Sequence, residues 1–426
     1  MHTKLTTLAI LVTCCATTVA DDALPRTGIC PDELRSFDTL LSDFVRDRGI
    51  PGASLAVVRD GKLVLARGYG FADRDEKRPV EPTSLFRIAS ISKPITAVAV
   101  LRLVETGKLR LEDRIDELLA PRPWLIEGAT FDPRLRQITV HHLLRHTGGF
   151  DRDASFDPMF RSVEIAAALG VPPPAKPEHV IRYLWGRTLD FDPGARYAYS
   201  NFGYCVLGRA IEKASGVDYE TFVRREVLEP LGIRGMRIGA TLRSSRAAGE
   251  VTYYAVEGRG PSVVPAAAAI GEPVDRAYGS WYHESLDAHG GWIASAIDLA
   301  RFARAFDDPE HCAVLRAESV EKLFERPPGA AGHELDGTPK DHFYACGWLV
   351  RPQGDGGRAN HWHAGSLPGT ETLLVRRHDR TSWVVLFNTR PRRDGAGLVK
   401  AIDPLLHRAA DAVGAWPSRD LFAEYR

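Results

Sequence analysis

The chain has 426 residues, 44% of them hydrophobic, and 55 Lys+Arg balance 55 Asp+Glu. That is the composition of an ordinary globular protein, and it carries no basic footprint for nucleic acid or an anionic membrane surface. The length suits one large α/β domain with an inserted subdomain, and such a chain buries a core without covalent staples.

Residues 1–20 read as a secretory signal. A weakly basic start precedes an uncharged stretch from Leu5 to Val19, and Thr18-Val19-Ala20 offers the small residues a signal peptidase cuts after. The expectation is a secreted or periplasmic protein, cleaved near Ala20. The apolar stretch is short for a membrane span. Leu11-Val12-Thr13-Cys14 fits a lipobox poorly, so a lipoprotein is the weaker alternative. Past the signal, Cys30, Cys205, Cys312 and Cys346 are scattered without zinc-type spacing. An exported chain can pair such cysteines, and scattered buried thiols are the plainer reading.

Residues 21–31 read as a loose leader. Leu34, Phe37, Leu41, Phe44 and Val45 then fall on one helical face that Gly49 ends. Ala53–Val58 and Leu63–Ala66 are β-like runs joined by Asp60-Gly61, a hairpin signal. Ser90–Glu105 predicts a helix apolar on nearly every side, hence central and buried. Residues 108–240 are helical patterns and Pro-rich loops, including Val140–Arg145 and Tyr204–Ala214, and read as an inserted helical region. Residues 241–289 are irregular, and Tyr253, Tyr254, Tyr278, Trp281 and Tyr282 are candidates to line a pocket there or to pack as ordinary loop residues. Gly347–Val350, Ala359–His363, Glu371–Arg376 and Trp383–Asn388 predict late strands. A helix from about Leu398 to Val413 closes the fold. The expected class is α/β (α+β), with an antiparallel sheet built from both chain ends and flanked by helices.

A serine hydroxyl needs a base in reach and donors for the developing oxyanion. The chain has no Gly-x-Ser-x-Gly elbow. It does have Ser90-Ile91-Ser92-Lys93 at the start of the buried helix. Three residues apart, Ser90 and Lys93 share one face of a first turn. Burial favours a neutral amine, able to take a proton. Ser319-Val320-Glu321-Lys322 repeats the spacing inside a charged stretch, and reads as a solvated helix face. Tyr199-Ser200-Asn201 is a second element. Alone it reads as a turn before a helix; beside Lys93, Tyr199 offers a phenol whose pKa a nearby Lys⁺ would lower, and Asn201 offers an amide. His363-Ala364-Gly365 ends a β-like run, where small residues admit a substrate backbone. His361 and His363 share a strand face, yet no third ligand stands at metal-site spacing. His141, His142 and His146 read as core or surface histidines.

In this order and context, the elements resemble the serine β-lactamase and penicillin-binding protein superfamily, nearest its class C-like branch. The resemblance runs from about residue 33 to 412. It rests on Phe86–Pro94, Ile138–Gly149, Tyr197–Asn201, Gly290–Ile293 and His363–Ser366. It implies a β-lactamase/transpeptidase-like fold and an acyl-enzyme on Ser90. Lys93 and Tyr199 would share the acid–base work, and Asn201 would hold a substrate amide. The N–H groups of Ser90 and Ser366 would form the oxyanion hole beyond Gly365, with His363 beside the substrate's polar end. No cofactor or metal is implied. Lys-Thr-Gly of the β-lactamases is replaced by His363-Ala364-Gly365, which points to an ester or D-amino-acid peptide substrate. A class C-like β-lactamase and a catalytically weak binding scaffold are the alternatives.

Overall fold

The computed structural model describes residues 24–119, 128–255, 262–263, 273–279, 281–354, 357–390 and 397–425. The expected signal segment lies outside them. Among the described residues no helix is long and apolar enough to cross a membrane.

A mainly antiparallel sheet organises the molecule. Its chain-order strands are β1 (Arg26–Ile29), β2 (Gly52–Arg59), β3 (Lys62–Asp73), β4 (Phe343–Tyr344), β5 (Leu349–Pro352), β6 (Ala359–Leu367), β7 (Thr370–Arg376) and β8 (Thr381–Phe387). In space they run β1-β3-β2-β8-β7-β6-β5-β4, with Arg78–Pro79 added on β3. Asp60 and Gly61 both take positive φ, +48° and +76°, as a two-residue hairpin turn between β2 and β3 requires. β2 then pairs with β8, Leu55 opposite Val385 and Val57 opposite Trp383, so the two ends of the chain close the sheet.

Both sheet faces are covered, which is why these strands read as continuous apolar runs. Ala56, Val58, Val384 and Leu386 face one core, while Leu55, Val57, Trp383, Val385 and Phe387 face the other. The second core is capped by helices α1 (Arg35–Asp47) and α4 (Leu398–Asp411). The first holds α2 (Ser92–Glu105), buried from Ser92 through Leu101, which packs on α3 (Asn201–Ser215). Among the described residues of 108–240, helices alternate with loops and the one strand is the two-residue Arg237–Ile238.

One expectation needs correction. The supposed leader contains β1, which pairs with β3 from Arg26 opposite Tyr69 to Ile29 opposite Ala66. A four-residue strand is too short to show alternation, so its pairing was invisible. Of the two readings of the aromatic stretch, packing is the one that holds for Tyr253, Tyr278 and Trp281. Tyr253, Tyr278 and Trp281 are 2%, 5% and 2% exposed. Their rings crowd the buried Arg87 guanidinium at 4.6, 5.2 and 5.7 Å. Tyr254 accepts the Arg74 backbone N–H at 2.7 Å, and Tyr282 is half-buried.

Candidate active site

The turn carrying Ser90 is held from below. Thr370 and Thr372 of β7 donate their hydroxyls to the carbonyls of Arg87 and Ile88, both at 2.9 Å. Arg87 itself donates to the carbonyls of Ala277 and Ala240, each at 2.6 Å. Ala89 is forced to φ +48°, a left-handed conformation that only surrounding contacts can maintain. Ala89–Ile91 form a tight 3-10 turn, and α2 proper starts at Ser92. Ser90 is the partly exposed residue in a run buried from Ser84 to Leu101. The sequence therefore buries the helix and leaves one hydroxyl at the surface of the cleft.

Lys93 is 0% exposed. Its Nζ lies 3.1 Å from Ser90 Oγ, 2.8 Å from Asn201 Oδ1 and 2.8 Å from the His289 carbonyl. A neutral amine has two hydrogens and one lone pair. Two carbonyl acceptors use the hydrogens, and the lone pair is left for the serine hydroxyl. Burial pushes the Lys93 pKa well below the ordinary lysine value, and the positive Arg152 adds to this.

Tyr199 shares a hydrogen bond with Ser90, and its ring centroid is 4.7 Å from Lys93 Nζ. The expected lowering of its pKa is not what its surroundings produce. Burial raises it, outweighing the Ser90 hydrogen bond and Arg152, because a tyrosinate here would lose its hydration. Tyr199 is thus held as a protonated phenol, suited to donate. Asn201 opens α3 behind the Ser200 cap, whose hydroxyl accepts the Gly203 N–H. Its carbonyl is committed to Lys93, and Nδ2 donates one hydrogen to Asp157 Oδ2 at 2.6 Å. One amide hydrogen remains.

His363, Gly365 and Ser366 lie on β6, which packs along the Ser90 turn. A Cβ on Gly365 would meet the Ile88 carbonyl oxygen at 2.1 Å and Thr372 Oγ1 at 2.3 Å. Only glycine lets the strand come so close, and that approach sets exposed Ser366 beside the nucleophile's turn. His363 is 3% exposed, with Nδ1 2.8 Å from the Ala364 carbonyl and Nε2 3.0 Å from the Tyr344 hydroxyl. This network assigns the proton to Nδ1, with Nε2 accepting from Tyr344. Burial, then the nearby Lys93, lowers its pKa to about 3, so it is neutral. Both ring nitrogens are taken by the chain itself, which leaves substrate no direct bond to His363.

Four contributors were not read from the sequence as site residues. His146, at φ +56°, accepts the Ser200 N–H at 3.2 Å and stacks 4.4 Å from both Tyr199 and Tyr344. It fixes the turn that presents Tyr199. Tyr344 orients His363, and Asp157 orients Asn201. Arg152 stands 4.5 Å over the Tyr199 ring. Only His146 stood inside a quoted motif run; the others depend on tertiary contacts without local pattern. The repeat at Ser319-Lys322 lies on a surface helix, where Lys322 pairs with Glu325 at 3.0 Å. His361 stacks on Phe324 at 4.1 Å, and the described residues hold no cluster of three metal-ligating side chains. Cys30, Cys205, Cys312 and Cys346 are free thiols.

A family model for Beta-lactamase matches residues 37–405, most of the chain and every candidate site residue. The chain belongs to the Beta-lactamase family. Among curated relatives it is 26% identical to Penicillin-binding protein 4* of Bacillus subtilis strain 168 over 334 residues, 78% of this chain and 66% of that one. It is 34% identical to Esterase EstB of Burkholderia gladioli over 211 residues, 46% of this chain and 49% of that one. The chain thus spans less than two thirds of either relative. Among solved folds, D-amino acid amidase from Ochrobactrum anthropi SV3 aligns with TM-score 0.67 at 21% identity, covering 90% of this chain and 99% of that one. A penicillin-binding protein homologue from Pyrococcus abyssi aligns with TM-score 0.64 at 24% identity over 92% and 80%. The sequence relatives and fold neighbours of this chain therefore bear the names of esterase, amidase and penicillin-binding protein.

Proposed function

We propose that the protein is a serine hydrolase that works through an acyl-enzyme on Ser90 and cleaves esters or D-amino-acid-containing peptides. The observation that carries this reading is the fully buried Lys93 amine 3.1 Å from a partly exposed Ser90 hydroxyl. Neutral Lys93 takes the proton as Ser90 Oγ attacks the substrate carbonyl. The backbone N–H groups of Ser90 and Ser366 hold the oxyanion, where losing one donor typically costs about 3–4 kcal/mol. The protonated Tyr199 phenol gives its proton to the leaving group and is refilled from Lys93. Water then attacks the acyl-enzyme, passing a proton back through the same pair, and releases the acid. Asn201 keeps one N–H for a substrate carbonyl.

The neutral His363 and the methyl of Ala364 provide no charge or hydroxyl for an antibiotic carboxylate, which favours esters and peptides over β-lactams. Esterase EstB and the D-amino acid amidase supply the same suggestion by name. Ser90→Ala is expected to abolish turnover of 4-nitrophenyl acetate. Undiminished turnover would remove Ser90 from the mechanism, and rapid nitrocefin hydrolysis would move the reading to β-lactamase. We also propose export with removal of residues 1–20, for which N-terminal sequencing of the protein from its native compartment is the test.

A further inference from the structure

A cavity of about 530 Å³ opens beside the catalytic cluster, and Ser200, Asn201, Tyr183 and Arg187 are among the residues that line it. Arg152 and Asp157 both line it. The acids in its wall have partners. Asp151 is paired with Arg196 at 2.8 Å, Asp190 accepts from the Asp151 N–H at 2.7 Å and the Ser155 hydroxyl, and Asp157 accepts from Asn201. At the far end, Arg187 is engaged by the Tyr183 hydroxyl.

Arg152 is different. Its side chain is 39% exposed, and its nearest carboxylate oxygens are 3.8 Å away on Asp153 and 4.0 Å away on Asp157. Both are beyond hydrogen-bond reach, and no described residue accepts a hydrogen bond from its guanidinium. A planar fork of donors is thus held against the Tyr199 ring with its hydrogen bonds unspent. Such a fork matches a carboxylate in two-point geometry.

We propose that Arg152 is a specificity-determining residue that binds an anionic group, a carboxylate, on the acyl chain of the substrate. This rests on the acyl-serine reading of Ser90 and sharpens it to esters or amides of acids bearing a second, remote carboxylate. The side of the site follows from the cavity, whose lining includes Asn201 and no residue of β6. The reach follows from the contacts, since Ser90 touches Tyr199 and Tyr199 touches Arg152. A six-carbon diacid is the probe chosen for that series. The competing reading is an amine bound by Asp157. It is disfavoured because that carboxyl is half-buried, has its pKa raised by burial, and already holds the Asn201 amide.

The test compares three 4-nitrophenyl esters of matched length, the hexanoate, the mono-adipate and the 6-aminohexanoate. The wild type is expected to favour adipate over hexanoate by roughly 10-fold or more in kcat/KM, the scale of one charge-assisted hydrogen bond. In Arg152→Met that ratio falls to about one, and in Arg152→Glu it drops below one. Each ratio is taken within one protein, so a general loss of activity cancels. A wild-type ratio of one, a ratio that survives in Arg152→Met, or a preference for the amino ester overturns the assignment. Calorimetric binding of the same esters to Ser90→Ala gives the comparison without turnover. Failure to hydrolyse any of the esters would count against the hydrolase reading alone, since the binding ratio still decides on Arg152.

Discussion

Replacing Lys93 with methionine removes the base while nearly preserving side-chain volume. Lys93 is the amine within reach of Ser90, and Tyr199 is poorly placed to substitute for it, because burial keeps the phenol protonated. General-base assistance is worth about 10²–10⁴-fold, or roughly 3–5 kcal/mol of barrier. Lys93→Met should therefore lose at least about a hundredfold in kcat/KM on 4-nitrophenyl acetate. Lys93→Arg should lose as much, since a guanidinium stays charged. In the wild type the rate should rise with pH as the amine gives up its proton, and level off below the ordinary lysine value of about 10.4. Stability should follow the same group. The unfolded chain holds the Lys93 proton up to about pH 10.4, while the folded pKa is depressed. Between those two values the unfolded state binds more protons, so this residue makes the fold more stable as pH rises. The melting temperature of Lys93→Met minus that of the wild type should accordingly fall as pH rises from the depressed folded pKa towards about 10.4. Retention of activity within tenfold in either variant, or a rate midpoint near 10.4, would refute the buried neutral base.

Three further outcomes test the scaffold. Gly365→Ala places a methyl 2.1 Å from the Ile88 carbonyl oxygen, and should cost about 1–3 kcal/mol in urea denaturation together with most of the esterase activity. Arg87→Met leaves Glu250, 0% exposed, without its buried cation 4.0 Å away, and should destabilise by about 3–5 kcal/mol. Wild-type-like unfolding would show that the aromatic cage alone holds the Ser90 turn. His146→Phe keeps the ring packing but strips the acceptor from the Ser200 N–H, so about 1–3 kcal/mol of stability should go. Its rate should fall through misplacement of Tyr199, and an unchanged rate would deny His146 a positioning role.

Much of the fold was legible because both sheet faces are buried and local signals agree. Asp60-Gly61 specified its hairpin, and the all-round apolar helix from Ser92 specified a central element. The strands from Ala359 to Phe387 read directly as apolar runs between polar turns. What stayed hidden was tertiary in origin. β1 is too short for periodicity, and its pairing with β3 rests on contacts across the chain. The aromatics from Tyr253 to Trp281 read equally as pocket or packing, and the buried Arg87 that gathers them lies far upstream. At the site, Ser90 and Lys93 meet as their three-residue spacing suggested, while Tyr199 and Asn201 stand beside them as only the family resemblance implied. The protonation of Tyr199 was not legible, since composition cannot show that burial outweighs neighbouring positive charge. Asp157 and Arg152 sit in a loop without any motif, and only its return to α3 and Tyr199 gives them meaning.

The most direct measurement is peptide mapping by mass spectrometry after reaction with a fluorophosphonate. The account predicts a single adduct on Ser90 in the wild type, none at that position in Ser90→Ala, and none on Ser319. An adduct on another serine, or no adduct on a folded wild-type protein, would contradict it.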